Sequence, residues 1–307
     1  MATVLITGGT GMIGTRLSEM LTGKGHQVII LTRQAKGKKP LPRLRYAQWD
    51  TGKEAIDSDA IAASDHIIHL AGEGVADKRW SEKRKQQLLE SRTRTSSLLV
   101  KALEEIPNRV RSVISASAIG WYGADTAGSR KKGFDENAAA DGHFLGETCR
   151  LWEASIQPVQ RLGKRLVILR TGIVLSPGGG ALQEFKKPVR AGIAAILGDG
   201  KQVVSWIHVD DLCRMYIAAI ENESMHGPYN AVAPHPVTNK ALTLALAELM
   251  RGKYFIPLHI PVFALKLIMG EMSIEVLKSA TVNADKIQST GFSFLHRNIR
   301  EALQACV

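Results

Sequence analysis

Three glycines, Gly8, Gly11 and Gly14, lie in Thr7-Gly8-Gly9-Thr10-Gly11-Met12-Ile13-Gly14 at the spacing of a phosphate cradle. An apolar run, Thr3–Thr7, feeds directly into them. A helix-period segment, Met12 to about Lys24, leaves them with Ile13, Leu17 and Leu21 on one face. Strand, glycine turn and helix in that order are the context a dinucleotide-binding turn requires. Gly8 permits the tight turn, Gly11 lets backbone approach a pyrophosphate, and Gly14 lets the helix pack closely. The N–H groups opening the helix, across Thr10, Gly11, Met12 and Ile13, then hold the anion.

A second position bears on which dinucleotide fits. The next apolar run ends Leu31-Thr32-Arg33. An acid there would hold a ribose 2′-hydroxyl, whereas a guanidinium pairs with a 2′-phosphate through parallel N–H donors. Thr32 and Arg33 therefore predict NADP(H); the alternative is a surface arginine at a strand end.

Apolar, β-branched runs alternate with helix-period segments through the first half of the chain. Strands are expected at Thr3–Thr7, Gln27–Thr32, Arg45–Trp49, His66–Leu70, Ser112–Ala116 and Arg165–Arg170. Helices are expected near Met12–Lys24, Lys53–Ala63, Trp80–Glu105 and Gly146–Leu162. That alternation predicts an α/β fold, a Rossmann-type doubly wound parallel sheet, with both sheet faces covered. After about Thr171 the pattern changes through Ser176-Pro177-Gly178-Gly179-Gly180. Helices follow near Asp211–Glu221 and Lys240–Met250, then a short strand, Lys253–Ile256, ending at Pro257, and a helical tail over 261–307. The expected division is a nucleotide domain over 1–175 and a smaller C-terminal substrate lobe over 176–307. Residues 202–232 are expected to return to the first domain. There, Trp206–Asp211 reads as a strand end followed by a helix capped by Asp210 or Asp211, a cap or a ligand.

The bulk properties narrow the partners. The chain has 307 residues, 45 % hydrophobic, with formal net charge +11. Its basic residues are dispersed in small clusters such as Lys36–Lys39 and Lys83–Lys85, with few aromatics between them. No nucleic-acid partner is expected from that pattern. No apolar run is long enough to cross a bilayer, so no membrane partner is expected. The first strand begins two residues after Met1, so no signal or transit peptide is expected. Cys149, Cys213 and Cys306 have no metal-ligand spacing, so free thiols, no metal and a cytoplasmic location are expected.

These residues resemble the extended short-chain dehydrogenase/reductase superfamily. The matching pieces are the glycine turn, Leu70-Ala71-Gly72, Ser115-Ala116-Ser117 and Trp206–Asp211. The chain is more closely similar to an "epimerase family" branch, through Trp80-Ser81, Ser91-Arg92, Trp152-Glu153, Arg170-Thr171-Gly172, Gly198-Asp199-Gly200 and Gly291-Phe292-Ser293-Phe294. The resemblance spans essentially the whole chain. It implies NADP as cofactor and a small substrate lobe but supplies no known substrate; the expectation is an epimerase or oxidoreductase acting on an unknown small molecule, a nucleotide sugar among the candidates, with the oligomer open, a homodimer included. It also implies that Asp50 lies near the adenine, the alternative being a turn aspartate. Leu70-Ala71-Gly72 is expected to let backbone approach the cofactor, because its two small residues, Ala71 and Gly72, remove side-chain bulk. Arg92 is a cofactor contact by the same resemblance, or one of many charges on a solvated helix.

The superfamily's catalytic Tyr-x-x-x-Lys has no counterpart. The helix that should carry it, Phe144–Glu153, holds neither a tyrosine nor a lysine. Ser117 matches the superfamily serine that hydrogen-bonds the reacting oxygen. Tyr122, in Gly120-Trp121-Tyr122-Gly123, is the nearest candidate proton donor. An unperturbed phenol titrates near ~10, so without an adjacent cation it is a slow base at neutral pH. His208, Glu147 and Glu73 are further candidates, each with a plain structural alternative. The gap leaves a second reading, a non-catalytic NADP(H)-binding redox sensor.

Overall fold

The computed structural model describes residues 1–307. Strand β1 (Thr3–Thr7) turns through the glycines into helix α1 (Met12–Gly23). Strands β2 (Gln27–Thr32) and β3 (Leu44–Asp50) follow, and β3 pairs antiparallel with the short β4 (Ala55–Ile56). Because those residues pair with β3, the helix expected from Lys53 is confined to α2 (Ser58–Ala62), where Asp57 accepts from the Ala60 amide. Next come β5 (His66–His69) and α3 (Glu82–Glu105). Ser81 accepts from the Arg84 amide, which starts α3 two residues later than its apolar pattern suggests. Strand β6 (Ser112–Ala118), the short helix α4 (Ser129–Lys132), α5 (Phe144–Ile156) and β7 (Arg165–Thr171) complete this half. Beyond Ile156 the expected helix tightens into a 3₁₀ segment, Gln157–Leu162, at Pro158, which has no N–H to continue α-helical bonding.

The second half is more irregular. It contains β8 (Ile173–Leu175), α6 (Ala181–Arg190), β9 (Ile193–Leu197), β10 (Val203–Val204), β11 (Trp206–His208), α7 (Val209–Glu221) and β12 (Gly227–Ala231). Then follow β13 (Val237–Thr238), α8 (Asn239–Arg251), β14 (Ile256–Ile260), α9 (Val262–Met269), α10 (Met272–Leu277), α11 (Asp285–Ser289) and α12 (Ile299–Gln304). Two expectations are corrected here. The cap of α7 is His208, whose Nδ1 accepts from the Asp210 amide, and neither aspartate. The strand expected over Lys253–Ile256 instead begins at Ile256 and runs through Pro257 to Ile260, because β14 is hydrogen-bonded only to β9 and tolerates a residue without N–H.

The main sheet has the order β12-β7-β6-β5-β1-β2-β3-β4 and is parallel throughout, except for the terminal β4. Alternation along β1 sends Val4 and Ile6 into one core with Leu17, Leu21 and Met215. Leu5 enters the other, with Leu98, Leu99, Val113 and Ile156. Both faces are thus covered, which makes the sheet doubly wound. Helix α7 lies against α1, and β12 extends the sheet beyond β7, so residues 209–231 pack with the first half. β11 pairs instead with β8 in a separate ribbon. A smaller core, including Leu175, Leu182, Trp206, Leu246 and Leu303, holds the rest.

Candidate functional site

The glycine turn lies at the C-terminal end of β1, where ligands of open α/β sheets bind. Gly8 has φ +67°, and a Cβ on it would lie 2.9 Å from the Leu70 carbonyl. On Gly14 a Cβ would lie 2.5 Å from Gly9 Cα and 2.6 Å from Gly8 O. A Cβ on Gly11 would meet only Gly8 O, at 3.4 Å. Gly8 and Gly14 are therefore fixed by packing, whereas Gly11 leaves backbone open to a ligand. A cleft of about 690 Å³ adjoins it, lined by Thr10, Gly11 and Met12 together with Ser176–Gly178 and His208–Asp210. Ile13 packs against the core behind the turn.

A buried chain of hydroxyls ties the turn to the end of β5. Thr7 Oγ1 accepts from the Leu70 and Ala71 amides, both at 3.1 Å, so its own proton goes to His69 Nδ1, 2.7 Å away. His69 Nε2–H then donates to Ser96 Oγ at 3.1 Å, and Ser96 donates to Arg92 O. Every member is satisfied only if His69 is neutral. Burial supports that state by pushing its pKa down to about 3. His69 was not among the residues singled out in the sequence. Two histidines bracketing an apolar pair in His66–His69 were the available signal.

The residues expected at the cofactor divide into two groups. Arg33 follows β2, exposed, with its guanidinium free of any protein partner; Thr32 beside it is half-buried. Leu70, Ala71 and Gly72 lie one strand away from the glycine turn. Arg92 is buried rather than on a solvated face, donates to Leu88 O and Glu73 O, and stacks 5.1 Å from the Trp152 ring. A Cβ on Gly72 would lie 3.2 Å from its Cγ, so Arg92 supports this loop from beneath. Asp50 Oδ1 accepts from the Gly52 and Lys53 amides and closes a turn. Glu73 pairs with Arg84, and Glu147 with Arg150 on an exposed helix face.

The residues expected to react lie in one buried network. Ser117, Arg170 and Asn230 occupy one register row across β6, β7 and β12. Ser117 Oγ donates to Glu153 Oε1 at 2.7 Å. Arg170 grips the same carboxylate with Nε and Nη2, at 2.9 and 3.0 Å, and lies 3.6 Å over the Trp121 ring. Its Nη1 donates to Tyr122 Oη, which donates to Asn230 Oδ1 at 2.6 Å. The Asn230 amide donates to Glu136 Oε1, and burial pushes the Glu136 carboxyl upward. Tyr122, the expected proton donor, belongs to the same network. It is fully buried, both sides of its hydroxyl are engaged, and burial pushes its pKa up to about 12. Glu153, Arg170, Asn230 and Glu136 carried no role in the sequence reading.

His208, Asp210 and His296 converge within 4.8 Å, a grouping that suggests a metal. The Asp210 amide occupies the His208 Nδ1 lone pair, which puts the ring proton on Nε2 and leaves no lone pair for a cation. Asp210 pairs with Arg16 at 2.6 Å. Asp211 accepts from the Leu295 and His296 amides and pins the C-terminal segment to α7.

Comparisons with known proteins find relatives along nearly the whole chain. The profile of the NAD dependent epimerase/dehydratase family matches residues 4–232, and a domain of unknown function, DUF1731, matches residues 260–306. Epimerase family protein YfhF of Bacillus subtilis is 33 % identical over 305 residues, covering 99 % of this chain and 97 % of its own. Epimerase family protein SAR0825 of Staphylococcus aureus is 35 % identical over 302 residues, covering 98 % and 97 %. Among solved structures, human epimerase family protein SDR39U1 (isoform 2) with NADPH superposes with TM-score 0.82 at 29 % identity, covering 98 % of both chains. A nucleoside-diphosphate sugar epimerase from Corynebacterium glutamicum gives TM-score 0.76 at 31 % identity, over 99 % of this chain and 57 % of that one.

Proposed function

This chain belongs to the NAD dependent epimerase/dehydratase family, and from that premise we propose that it binds NADP(H) and moves hydride on a small, nucleotide-sugar-like substrate. The observation that carries the reading is the open backbone at Gly11 beside a cleft of ligand size. The free Arg33 supports a 2′-phosphate, as does the NADPH held by the human relative. Bound NADP(H) supplies a hydride donor or acceptor at its nicotinamide. Everything else falls to the chain. The α1 N-terminus holds the pyrophosphate, and the Thr7–His69–Ser96 chain keeps the β5 end in register with it. Ser117, with its proton committed to Glu153, turns a lone pair toward a substrate hydroxyl, and Arg170 holds the Glu153 carboxylate in place with two hydrogen bonds. Three buried free thiols fit a reducing, cytoplasmic setting.

The test is calorimetric titration with NADPH, NADP⁺ and NADH, repeated on Arg33→Asp. The expected result is a preference for NADPH over NADH that collapses in the variant. An unchanged ratio overturns the 2′-phosphate assignment. One observation favours a redox sensor instead: Ser117 and Tyr122 both give their protons to internal acceptors. A sensor must bind one redox form better, since only differential affinity shifts a conformation. Similar affinities for NADPH and NADP⁺, with turnover of a nucleotide sugar, support the enzyme. A wide gap without turnover supports the sensor.

A further inference from the structure

The stretch 254–274 presents an apolar surface that the rest of the chain leaves uncovered. Tyr254, Ile256, Phe263, Leu267, Ile268 and Ile274 are each between 55 % and 84 % exposed. Two of the six, Tyr254 and Phe263, are aromatic, and an aromatic side chain carries roughly 150–250 Å². Of the eight residues of α9, only Leu265 is buried. A helix this short does not hold itself together in water, so its stability depends on what its apolar faces meet.

Strand addition is not what covers this surface. Ile256 N donates to Gly192 O, and Ile260 O accepts from Gly198 N, so the even-numbered residues of β14 face β9. Pro257 and His259 therefore face outward, and Pro257 has no N–H to offer an incoming strand. Docking here must use side chains. The charges nearby point one way. Glu271 shares Lys85 with Glu82, and Glu275 is paired with Lys278. Arg251, Lys253 and Lys266 are exposed and free of acidic partners, on a chain of net charge +11. A second copy would bring two cationic rims together, whereas an anionic lipid surface complements both the rim and the apolar side chains.

We propose that residues 254–274 dock the protein peripherally on anionic membrane surfaces, with Phe263, Leu267 and Ile268 entering the acyl boundary and Lys253 and Lys266 meeting lipid phosphates. No helix is long and apolar enough to cross the bilayer, so contact is with one leaflet. The test is sedimentation of the full chain with phosphatidylcholine vesicles, with and without phosphatidylglycerol. Recovery should rise by about tenfold when the anionic lipid is present. Phe263→Ser with Leu267→Ser should remove binding to both vesicles, and Lys253→Glu with Lys266→Glu should remove the anionic preference. All four positions are exposed, so the circular dichroism spectrum should be unchanged. Equal recovery from both vesicles overturns the proposal. So does a wild-type dimer in light scattering that Phe263→Ser with Leu267→Ser dissociates, since a second copy would then own the patch.

Discussion

The glycine turn after β1 and the polar row across β6, β7 and β12 occupy the same end of one sheet, yet they are built in opposite ways. The turn is backbone. Its chemistry comes from side chains that are missing, and each of its contacts lies within a few residues or on the next strand. The row is all side chain. Ser117, Glu153, Arg170, Tyr122 and Asn230 satisfy one another inside the protein and arrive from widely separated segments. A backbone site tolerates little added bulk but has no charges to balance. A buried side-chain network tolerates neither the loss nor the isolation of a member.

That contrast can be broken, most severely at the ion pair. Glu153→Ala strands Arg170 where its side chain is 3 % exposed, and the loss should be about 3–5 kcal/mol in urea unfolding. Replacing both partners with Leu and Met should recover much of it. Full stability in the single variant would show that water reaches the pair. Gly14→Ala comes next, at about 3 kcal/mol, the upper end of overpacking, because its new Cβ meets only backbone. A melting temperature within a degree of wild type would mean that the turn can shift.

His69, which ties the glycine turn to the end of β5, adds a pH dependence. Its folded pKa, about 3, lies below the unfolded value near 6.5. The unfolded chain therefore binds more protons between these values. The stability held by neutral His69 is complete above about pH 6.5 and is lost as pH falls toward 3. Moving from pH 7 to pH 5 should cost about 2 kcal/mol from this residue. His69→Gln should flatten that part of the curve, and an unchanged slope would reassign it to other groups. The smallest effect on folding sharpens the comparison most. Gly11→Ala has room and an ordinary φ of −81°, so stability should move by less than about 1 kcal/mol. NADPH binding should nevertheless weaken clearly, measured by calorimetry. If both variants at the turn lose stability equally, Gly11 is packing rather than contact.

The same difference explains what could be read in advance. The turn, its strand and its helix are consecutive residues with a fixed order, so Gly8, Gly11 and Gly14 announce both a shape and a use. The parallel sheet was legible for a related reason, since each apolar run is local. The polar row depends on register between strands far apart in the chain, which no local pattern encodes. Two clues were nonetheless present. Arg170 interrupts an apolar strand, and Glu153 shares a helix face with Cys149, Trp152 and Ile156, all buried. A charge at each of those positions calls for a buried opposite charge. Helix α6 escaped the reading because Gly178–Gly180 precede it and Pro188 lies within it. The surroundings of Tyr122 were not legible, because proximity to Ser117 in the chain says nothing of which way a hydroxyl faces.

The late arrival of β12 has a consequence for how the protein is made. When the ribosome has released Thr171, β7 is the outermost strand on its side, and its open edge has no neighbour until residues 227–231 emerge. At roughly 5–20 residues per second that interval lasts several seconds. Arg165 is also unfinished then, because its guanidinium binds the Ala219 and Met225 carbonyls, which do not yet exist. The nascent chain therefore carries a sticky apolar edge during synthesis, the condition that chaperones at the exit tunnel relieve. Translation pauses placed between these strands should lower soluble yield without altering a single residue of the finished protein.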